Sequence, residues 1–436
     1  MSGKNIWVAC VLLNAALLNA QTDPGPQPGP PNAGRPLPGL TPSENAIFQE
    51  GARRFREIDS VAGTEPGAPG RGLGPRFNFN SCSGCHAQPS VGGSSPMLNP
   101  QVALAARYGA KNTVPSFVQA GGPIRVARFV KDAAGNPDGG VQSLFTIAGR
   151  NDAGTCTAAQ PDFAGALAEN NVVFRIPTPV YGAGLIEAIP DGAIVAGISV
   201  NAPLKAALGI SGRANRSGND GSVTRFGWKA QTRSLEIFSG EAYNVEIGVT
   251  NDVFPSERDN SPACSLNPLP EDQTDFTAAT PVLGMSDTAA FTAFMRWLAP
   301  PGPPQMNPNA GRGRQVFDQI GCSMCHTPVM NTGPNRSPSL DRKPVPLFSD
   351  LLVHNMGAEL ADGVMQGNAA GNEFRTAPLW GLGQRIYFLH DGRTSDLVEA
   401  IRAHASTGSE ANAVVANFNS LPTDAQQDLL NFLRSL

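Results

Sequence analysis

The hydrophobic residues of this chain form a few stretches with helical periodicity and many short runs that glycine and proline interrupt. In residues 44–58, for example, apolar side chains such as Phe48 and Phe55 recur at the spacing of one helix face. Short apolar segments bounded by turn residues, at 124–130 and 144–147, predict strands. We expect helices over residues 44–58, 286–298 and 310–320, and a final helix after a cap at Thr423. The pattern indicates a mainly α fold with irregular loops and a few short strands.

Two five-residue segments combine thiols and an imidazole in one pattern, CSGCH at 82–86 and CSMCH at 322–326. Cys-x-x-Cys-His is the attachment signature of c-type haem, in which both thiols bond to the vinyl groups and the histidine becomes the proximal iron ligand. A zinc site and a redox dithiol are the alternatives, but the pairs are too far apart for a zinc ribbon and lie in no βαβ context. The motifs predict two covalently bound haem c groups, held by Cys82, Cys85, His86, Cys322, Cys325 and His326.

The two halves of the chain repeat one order of features. In each, a predicted helix precedes the Cys-x-x-Cys-His motif, and FRIPTPVYGAG at 174–184 reappears as FRTAPLWGLG at 374–383. We therefore expect two cytochrome-c-like haem domains, the first with a long insertion. Residues 44–300 form the N-terminal haem domain and residues 301–436 the C-terminal cytochrome c domain.

The first 43 residues read as a signal peptide followed by a linker. Residues 1–20 carry one positive charge, a short apolar run and a small residue at the expected cleavage site. Residues 21–43 are rich in proline and glycine and should be extended and mobile. We expect an exported, periplasmic protein with no membrane span in its mature form.

Composition adds three constraints. The 48 glycines and 39 prolines, with only 16% charged residues, favour a loop-rich fold around a buried cofactor. A net charge of −4 without a basic stripe argues against nucleic acid as a partner. With Cys10 removed and four cysteines bonded to haem, Cys156 and Cys264 remain, as one disulfide or two buried thiols; an oxidising compartment favours the disulfide.

Several segments resemble the di-haem oxidoreductase family, whose members are described as peroxidases and also labelled thiol oxidoreductases. They include FNFNSCSGCH, RFGWKA, NVEIGVTNDVFP, LLVHNMG and FLHDGR, within a resemblance that covers most of residues 44–436. The family is similar, more distantly, to bacterial di-haem cytochrome c peroxidases and MauG-type enzymes. The resemblance implies hydrogen peroxide or O₂ as the oxidant and a small periplasmic protein as the electron donor.

The same resemblance implies a ligand for the second haem. In the peroxidases the distal ligand follows a His-Asp-Gly segment by fourteen residues, which here leads from His390 to His404. The ligand is usually methionine, so this chain departs from the pattern, and a His326/His404 haem would have a lower potential. His354 and Met356 are the alternatives, and His390 is expected to bond a haem propionate.

The resemblance also implies a Trp between the haems and a Glu beside the reactive iron, which correspond to Trp228 and Glu246. Glu187 is the alternative acid. No histidine lies between His86 and His326, and Met97 is the nearest soft side chain. We therefore expect an open iron at His86.

The sequence thus predicts an enzyme that reduces hydrogen peroxide at the His86 haem with electrons from the second haem. A carrier with both irons six-coordinate is one alternative. MauG-like or oxygenase-like oxidation of a protein or organic substrate is the other.

Overall fold

The computed structural model describes residues 21–29, 33–107, 114–302 and 308–436, so the predicted signal peptide at 1–20 lies outside the described residues. The described chain is mainly helical with a few short strands, which confirms the predicted fold class at that level. The domain limits and the insertion stay predictions. No helix in the described ranges is long and apolar enough to cross a bilayer.

The helices are short and spread along the whole described chain. They are α1 (Pro42–Phe55), α2 (Cys82–Cys85), α3 (Gln101–Arg107), α4 (Phe163–Ala168), α5 (Ala183–Glu187), α6 (Asp191–Gly197), α7 (Ala202–Leu208), α8 (Leu235–Ala242), α9 (Pro281–Gly284), α10 (Asp287–Trp297), α11 (Pro308–Gln319), α12 (Gly357–Leu360), α13 (Leu397–Arg402), α14 (Asn412–Ser420) and α15 (Thr423–Leu433). A π-helical turn, Tyr243–Ile247, continues α8, and 3₁₀ turns lie at Pro262–Cys264, Cys322–Met324 and Leu382–Gln384.

The strands form four small antiparallel sheets. They are β1 (Arg76–Phe77), β2 (Val126–Phe129), β3 (Val141–Gln142), β4 (Phe145–Thr146), β5 (Val172–Arg175), β6 (Met330–Asn331), β7 (Pro344–Val345), β8 (Val353–Asn355) and β9 (Glu373–Arg375). β2 is the central strand of a three-stranded sheet in the order β3-β2-β5, and the other sheets pair β1 with β4, β6 with β7 and β8 with β9.

The predicted helices form close to their expected positions. A capping box between Thr41 and Glu44 starts α1, and the Ser286 side chain accepts a hydrogen bond that starts α10. The predicted cap at Thr423 is wrong, because Thr423 is the first helical residue of α15 and Pro422 precedes it without a side-chain cap. Gln426 instead donates to the Phe418 and Leu421 carbonyls at the end of α14.

In each half, the helix before the Cys-x-x-Cys-His motif packs against a later helix, α1 against α10 and α11 against α15. At each crossing, a glycine allows the backbones of the two helices to approach closely. A Cβ on Gly51 would lie 2.3 Å from the carbonyl oxygen of Ala290, and a Cβ on Gly313 would lie 1.9 Å from that of Asp428. Any other residue would push the paired helices apart.

The same two crossings each bury a pair of phenylalanines four residues further along both helices. Phe55 lies against Phe294 with ring centroids 4.8 Å apart, and Phe317 lies against Phe432 at 5.5 Å. The two halves therefore share a helix pair that was not evident from the sequence repeats.

The segment before α1 is held against the rest of the protein. Asp23 and Arg434 form an ion pair of 2.6 Å whose side chains are 9% and 1% exposed, and Asp23 also accepts from the Leu397 N–H. The Gln27 N–H donates to the Gly383 carbonyl. The expectation of mobility is therefore wrong for residues 21–29, which we call the N-terminal strap.

Cys156 and Cys264 form a disulfide that joins positions 108 residues apart in the first half. This confirms the disulfide that cysteine counting favoured. Cys82, Cys85, Cys322 and Cys325 form no disulfide.

Candidate active site

Two cavities lie beside the two Cys-x-x-Cys-His motifs, one in each half. The first cavity has a volume of about 130 Å³ and is lined by Cys82, Cys85 and His86. The second has a volume of about 220 Å³ and is lined by Cys322, Cys325 and His326. Because each motif has its own cavity, the four thiols do not converge on one Cys₄ zinc site.

Each motif histidine packs against an aromatic ring and is hydrogen-bonded to the backbone. The His86 ring lies 6.0 Å from Phe55, and the His326 ring lies 6.4 Å from Phe317. These are the phenylalanines of the shared helix crossings. The helix pair of each half therefore supports the histidine of that half.

The three histidines predicted as iron ligands, His86, His326 and His404, share one hydrogen-bonding arrangement. Their Nδ1 atoms lie 3.0, 3.0 and 2.7 Å from the backbone carbonyls of Gly93, Phe348 and Ala400, respectively. A carbonyl oxygen can only accept, so each Nδ1 carries the proton and Nε2 is the ring nitrogen that can act as a metal ligand. This chemistry fits a haem iron in both cavities.

The second cavity contains a second imidazole. His404, two residues beyond the end of α13, lines this cavity together with His326. Burial, together with the neighbouring His404, lowers the pKa of His326 to about 4. Two neutral imidazoles that line one cavity have the donor chemistry that suits the iron of a six-coordinate haem.

The other candidates in the second cavity differ in availability. Both ring nitrogens of His354 are bonded to carboxylates, Nε2 to Asp350 at 3.0 Å and Nδ1 to Glu410 at 2.8 Å. His354 and Met356 both line the cavity. Met356 remains the alternative ligand to His404, whereas His354 is no longer an alternative because both of its ring nitrogens are already bonded. His390 stacks on Phe374 with ring centroids 4.2 Å apart.

Two guanidinium groups, Arg375 and Arg385, also line the second cavity. Burial lowers the pKa of each to about 10, so both are cationic at neutral pH. Arg375 donates through Nε to the Gly227 carbonyl. Cations in this position suit the propionate groups of a haem.

The first cavity has a different set of polar residues. Glu246 lies in the π-helical turn that follows α8, an irregularity that often marks functional sites. Burial raises the pKa of Glu246 to about 7; Arg128 lowers it and Glu241 raises it. A carboxyl group with such a pKa exchanges protons readily at neutral pH.

Arg128, on β2, is a residue that sequence reasoning missed. Arg128 and Val126, two positions apart on one strand face, both line the first cavity. Among the described residues, the buried Nε of Arg128 has no hydrogen-bond partner, although Nη1 donates to Gly139. A cation within the apolar run IRVARFV was the available signal.

Two alternatives from the sequence lie outside the first cavity. The side chain of Met97 is 61% exposed and does not line it. Glu187 pairs with Arg296 at 2.9 Å and accepts from the Leu235 N–H, so it does not supply the acid. Met295 also lines the first cavity; it follows Phe294 on α10 as Leu433, which lines the second cavity, follows Phe432 on α15.

Trp228 is the one described residue that lines both cavities. Its Nε1–H donates to the Ile176 carbonyl at 3.0 Å, and its own carbonyl accepts from the Arg375 N–H at 2.8 Å. Ile176 and Arg375 belong to the repeated Phe-Arg segments of the two halves. The structure therefore brings Trp228 between the repeats, where it contacts both.

Residues 120–436 match the model of the family described as "Di-haem oxidoreductase, putative peroxidase". The matched span includes CSMCH at 322–326 and ends at the last residue, whereas CSGCH at 82–86 precedes it. No curated protein matches the chain.

Solved structures give only weak likenesses. Hydrazine synthase of Kuenenia stuttgartiensis is 14% identical with a TM-score of 0.37, covering 100% of both chains. A MauG-like protein associated with microbial copper homeostasis is 17% identical with a TM-score of 0.31, covering 52% of this chain and 79% of its own. The diheme peroxidase BthA of Burkholderia thailandensis is 15% identical with a TM-score of 0.29, covering 68% and 90%. Scores this low assign no activity.

Proposed function

The chain belongs to the di-haem oxidoreductase family, whose cofactors are two haem groups, and on that premise we propose that it reduces hydrogen peroxide. The reaction takes place at the His86 haem, with electrons passed through the His326 haem. Both haems are bonded covalently through the cysteines of their motifs.

The observation that carries this proposal is the distribution of the five histidines. His86 is the one histidine lining the first cavity, whereas the other four, His326, His354, His390 and His404, line the second. A haem in the second cavity would be closed by His326 and His404 and suited to electron storage. A haem in the first cavity would keep one side for a small oxidant.

When bound, haem would supply one-electron redox chemistry and a binding site for peroxide. Overall, hydrogen peroxide takes up two electrons and two protons, its O–O bond breaks, and two water molecules leave. Glu246 accepts a proton from the near peroxide oxygen and delivers it to the departing one. Arg128 stabilises negative charge as it develops on that oxygen.

The route of the electrons is also part of the proposal. A small periplasmic protein delivers them to the second haem, and Trp228 lies on the path to the first. Support for an oxidising compartment comes from the Cys156–Cys264 disulfide, a bond that persists in the periplasm.

Electron paramagnetic resonance of the purified ferric protein tests the assignment of the two haems. We expect one high-spin signal, from the His86 haem, and one low-spin signal, from the His326 haem. Peroxide consumption with a reduced artificial donor should accompany them. The carrier function would be indicated instead by two low-spin signals from the ferric protein, no high-spin signal after one-electron reduction, and no consumption of peroxide.

A further inference from the structure

Lys229, next to the shared tryptophan, is fully buried, with 0% of its surface exposed. Its ammonium group lies among four oxygen atoms. The backbone carbonyls of Ala370, Gly371 and Glu373 are at 2.9, 3.2 and 2.9 Å, and one carboxylate oxygen of Asp362 is at 3.1 Å. Burial of an ammonium is costly unless it is paired and hydrogen-bonded, and these oxygens satisfy both conditions.

The charges around Lys229 do not cancel within the buried cluster. Asp362 is paired on its other oxygen with Arg175 at 2.5 Å, so two buried cations share one buried carboxylate. The ammonium also lies 4.0 Å from the centroid of the Phe374 ring, which stacks on His390. Burial lowers the pKa of Lys229 to about 8, while Asp362 raises it, so the lysine is charged at neutral pH.

The backbone around Lys229 is constrained as tightly as its side chain. Gly227 and Ala230 have φ values of +82° and +50°, and for the buried Ala230 that conformation carries strain. Asn215 ties the turn to the facing segment, because its amide donates both to the Lys229 carbonyl and to that of Gln366. The turn therefore exposes Trp228 to both cavities while it directs Lys229 into the protein.

The oxygen atoms that accept these hydrogen bonds belong to the segment that leads into β9. Residues 362–373 contribute every oxygen that surrounds the ammonium, and Arg375, two residues later, donates its N–H to the Trp228 carbonyl. A buried cation attracts every oxygen atom around it, so it fixes the positions of those oxygens relative to one another. Lys229 thus joins the second half of the chain to the residue that both cavities share.

We propose that Lys229 is a positioning residue whose buried ammonium acts as an internal cation and holds Trp228 between the two cavities. The proposal rests on the proposed electron path through Trp228, but it does not depend on which oxidant is reduced. Each transfer moves one electron from the reduced second haem to the oxidised first haem. Lys229 gains and loses nothing in that step.

The test uses the haem-loaded protein and two buried lysines. Lys229→Met keeps the length of the side chain and removes the charge. Lys205→Met is the matched control, because Lys205 is 4% exposed, donates to the Gly197 carbonyl and lines neither cavity. One electron equivalent is added to each protein, and the optical spectra of the two haems follow its redistribution.

Lys229→Met should slow this redistribution about tenfold through misplacement of Trp228, with both haem spin states retained. Lys205→Met should leave the rate unchanged, and in a Trp228→Phe background Lys229→Met should have no further effect. The proposal would be overturned if the wild type and Lys229→Met redistribute electrons at equal rates. It would also be overturned if Lys229→Met slows redistribution as much in the Trp228→Phe background as in the wild type.

Asp362→Asn provides a second variant if Lys229→Met does not fold. It keeps the shape of the carboxylate, and it should also slow redistribution in the wild-type background alone. A protein that redistributes electrons normally yet consumes no peroxide would contradict the proposed function and leave the role of Lys229 intact.

Discussion

The two cavities are alike where the motif histidine is supported and differ in the residues of their remaining walls. Behind His86 and His326, the same glycine crossing and the same pair of phenylalanines support the ring. On the remaining walls, the first cavity has Glu246 and Arg128, whereas the second has His404. The comparison teaches that the repeated part of the fold supports the motif histidine in each half, and that the two cavities differ in residues outside the repeat.

The most direct way to break the comparison is to remove the second imidazole. His404→Ala should convert the low-spin signal of the second haem completely to high spin, because the iron loses its sixth ligand. Electron paramagnetic resonance measures the change. His390→Phe, at another histidine of the same cavity, is the control and should keep the low-spin signal. A low-spin signal that survives in His404→Ala would point to Met356 as the ligand.

Removing the carboxylate of the first cavity should have the next largest effect. Glu246→Gln should lower the turnover of peroxide by about 10²- to 10⁴-fold, the usual range for loss of a general acid–base group. Glu187→Gln, outside the cavity, is the control for losing a glutamate in this half.

The pH dependence of turnover sharpens this test. The pKa of Glu246 is raised to about 7 by burial, so the proton-accepting carboxylate predominates above that pH and is lost below it. Turnover of the wild type should therefore rise with pH through about 7, and the rise should be absent from Glu246→Gln. An identical rise in both proteins would assign it to another group.

A smaller effect is expected at the residue that joins the two cavities. Trp228→Phe should slow electron redistribution between the haems by about tenfold or more, while both spin states are kept, since no iron ligand changes. Trp297→Phe, which lines neither cavity, is the control. An unchanged rate in Trp228→Phe would exclude this residue from the path.

The smallest effect concerns stability rather than chemistry. Asp23→Asn leaves Arg434 buried without its counter-ion and should lower the free energy of unfolding by about 3 kcal/mol. The exposed Asp424→Asn is the control, and urea titration measures both. Loss of stability confined to one half would show that the strap does not couple the halves.

The same pair predicts a pH effect on stability. Burial raises the pKa of Asp23, but the Arg434 guanidinium and backbone N–H groups outweigh it and keep that pKa below 3.8. The stabilisation is therefore complete above about pH 4 and lost as the pH falls through the lowered pKa. Asp23→Asn should show a smaller loss over that range.

What the sequence predicted well is local chemistry. Cys-x-x-Cys-His must be contiguous, because two thiols and one imidazole have to meet a single ring, and so both motifs were found. The structure brings His404 to the second cavity, as the resemblance to the peroxidases implied. The roles of these residues as ligands stay predictions.

What the sequence missed depends on distant partners. Lys229 is surrounded by residues that lie more than 130 positions further along the sequence. Arg128 and Glu246 line the same cavity, but no periodicity in the sequence indicates that they do. Residues 21–29 have the composition of a linker, yet Asp23 finds Arg434 at the far end of the sequence. Thr423 has the local sequence pattern of an N-cap, but the Gln426 side chain donates a hydrogen bond to a carbonyl at the end of α14 instead.

The N-terminal strap also determines how this protein can be divided. A fragment of residues 21–300 would carry the strap without the surface on which it rests, although the strap precedes the first haem motif. A fragment of residues 301–436 would leave Arg434 buried among apolar residues with no carboxylate. The two repeats therefore resemble each other as domains but depend on each other as folding units, and neither should be soluble when produced alone.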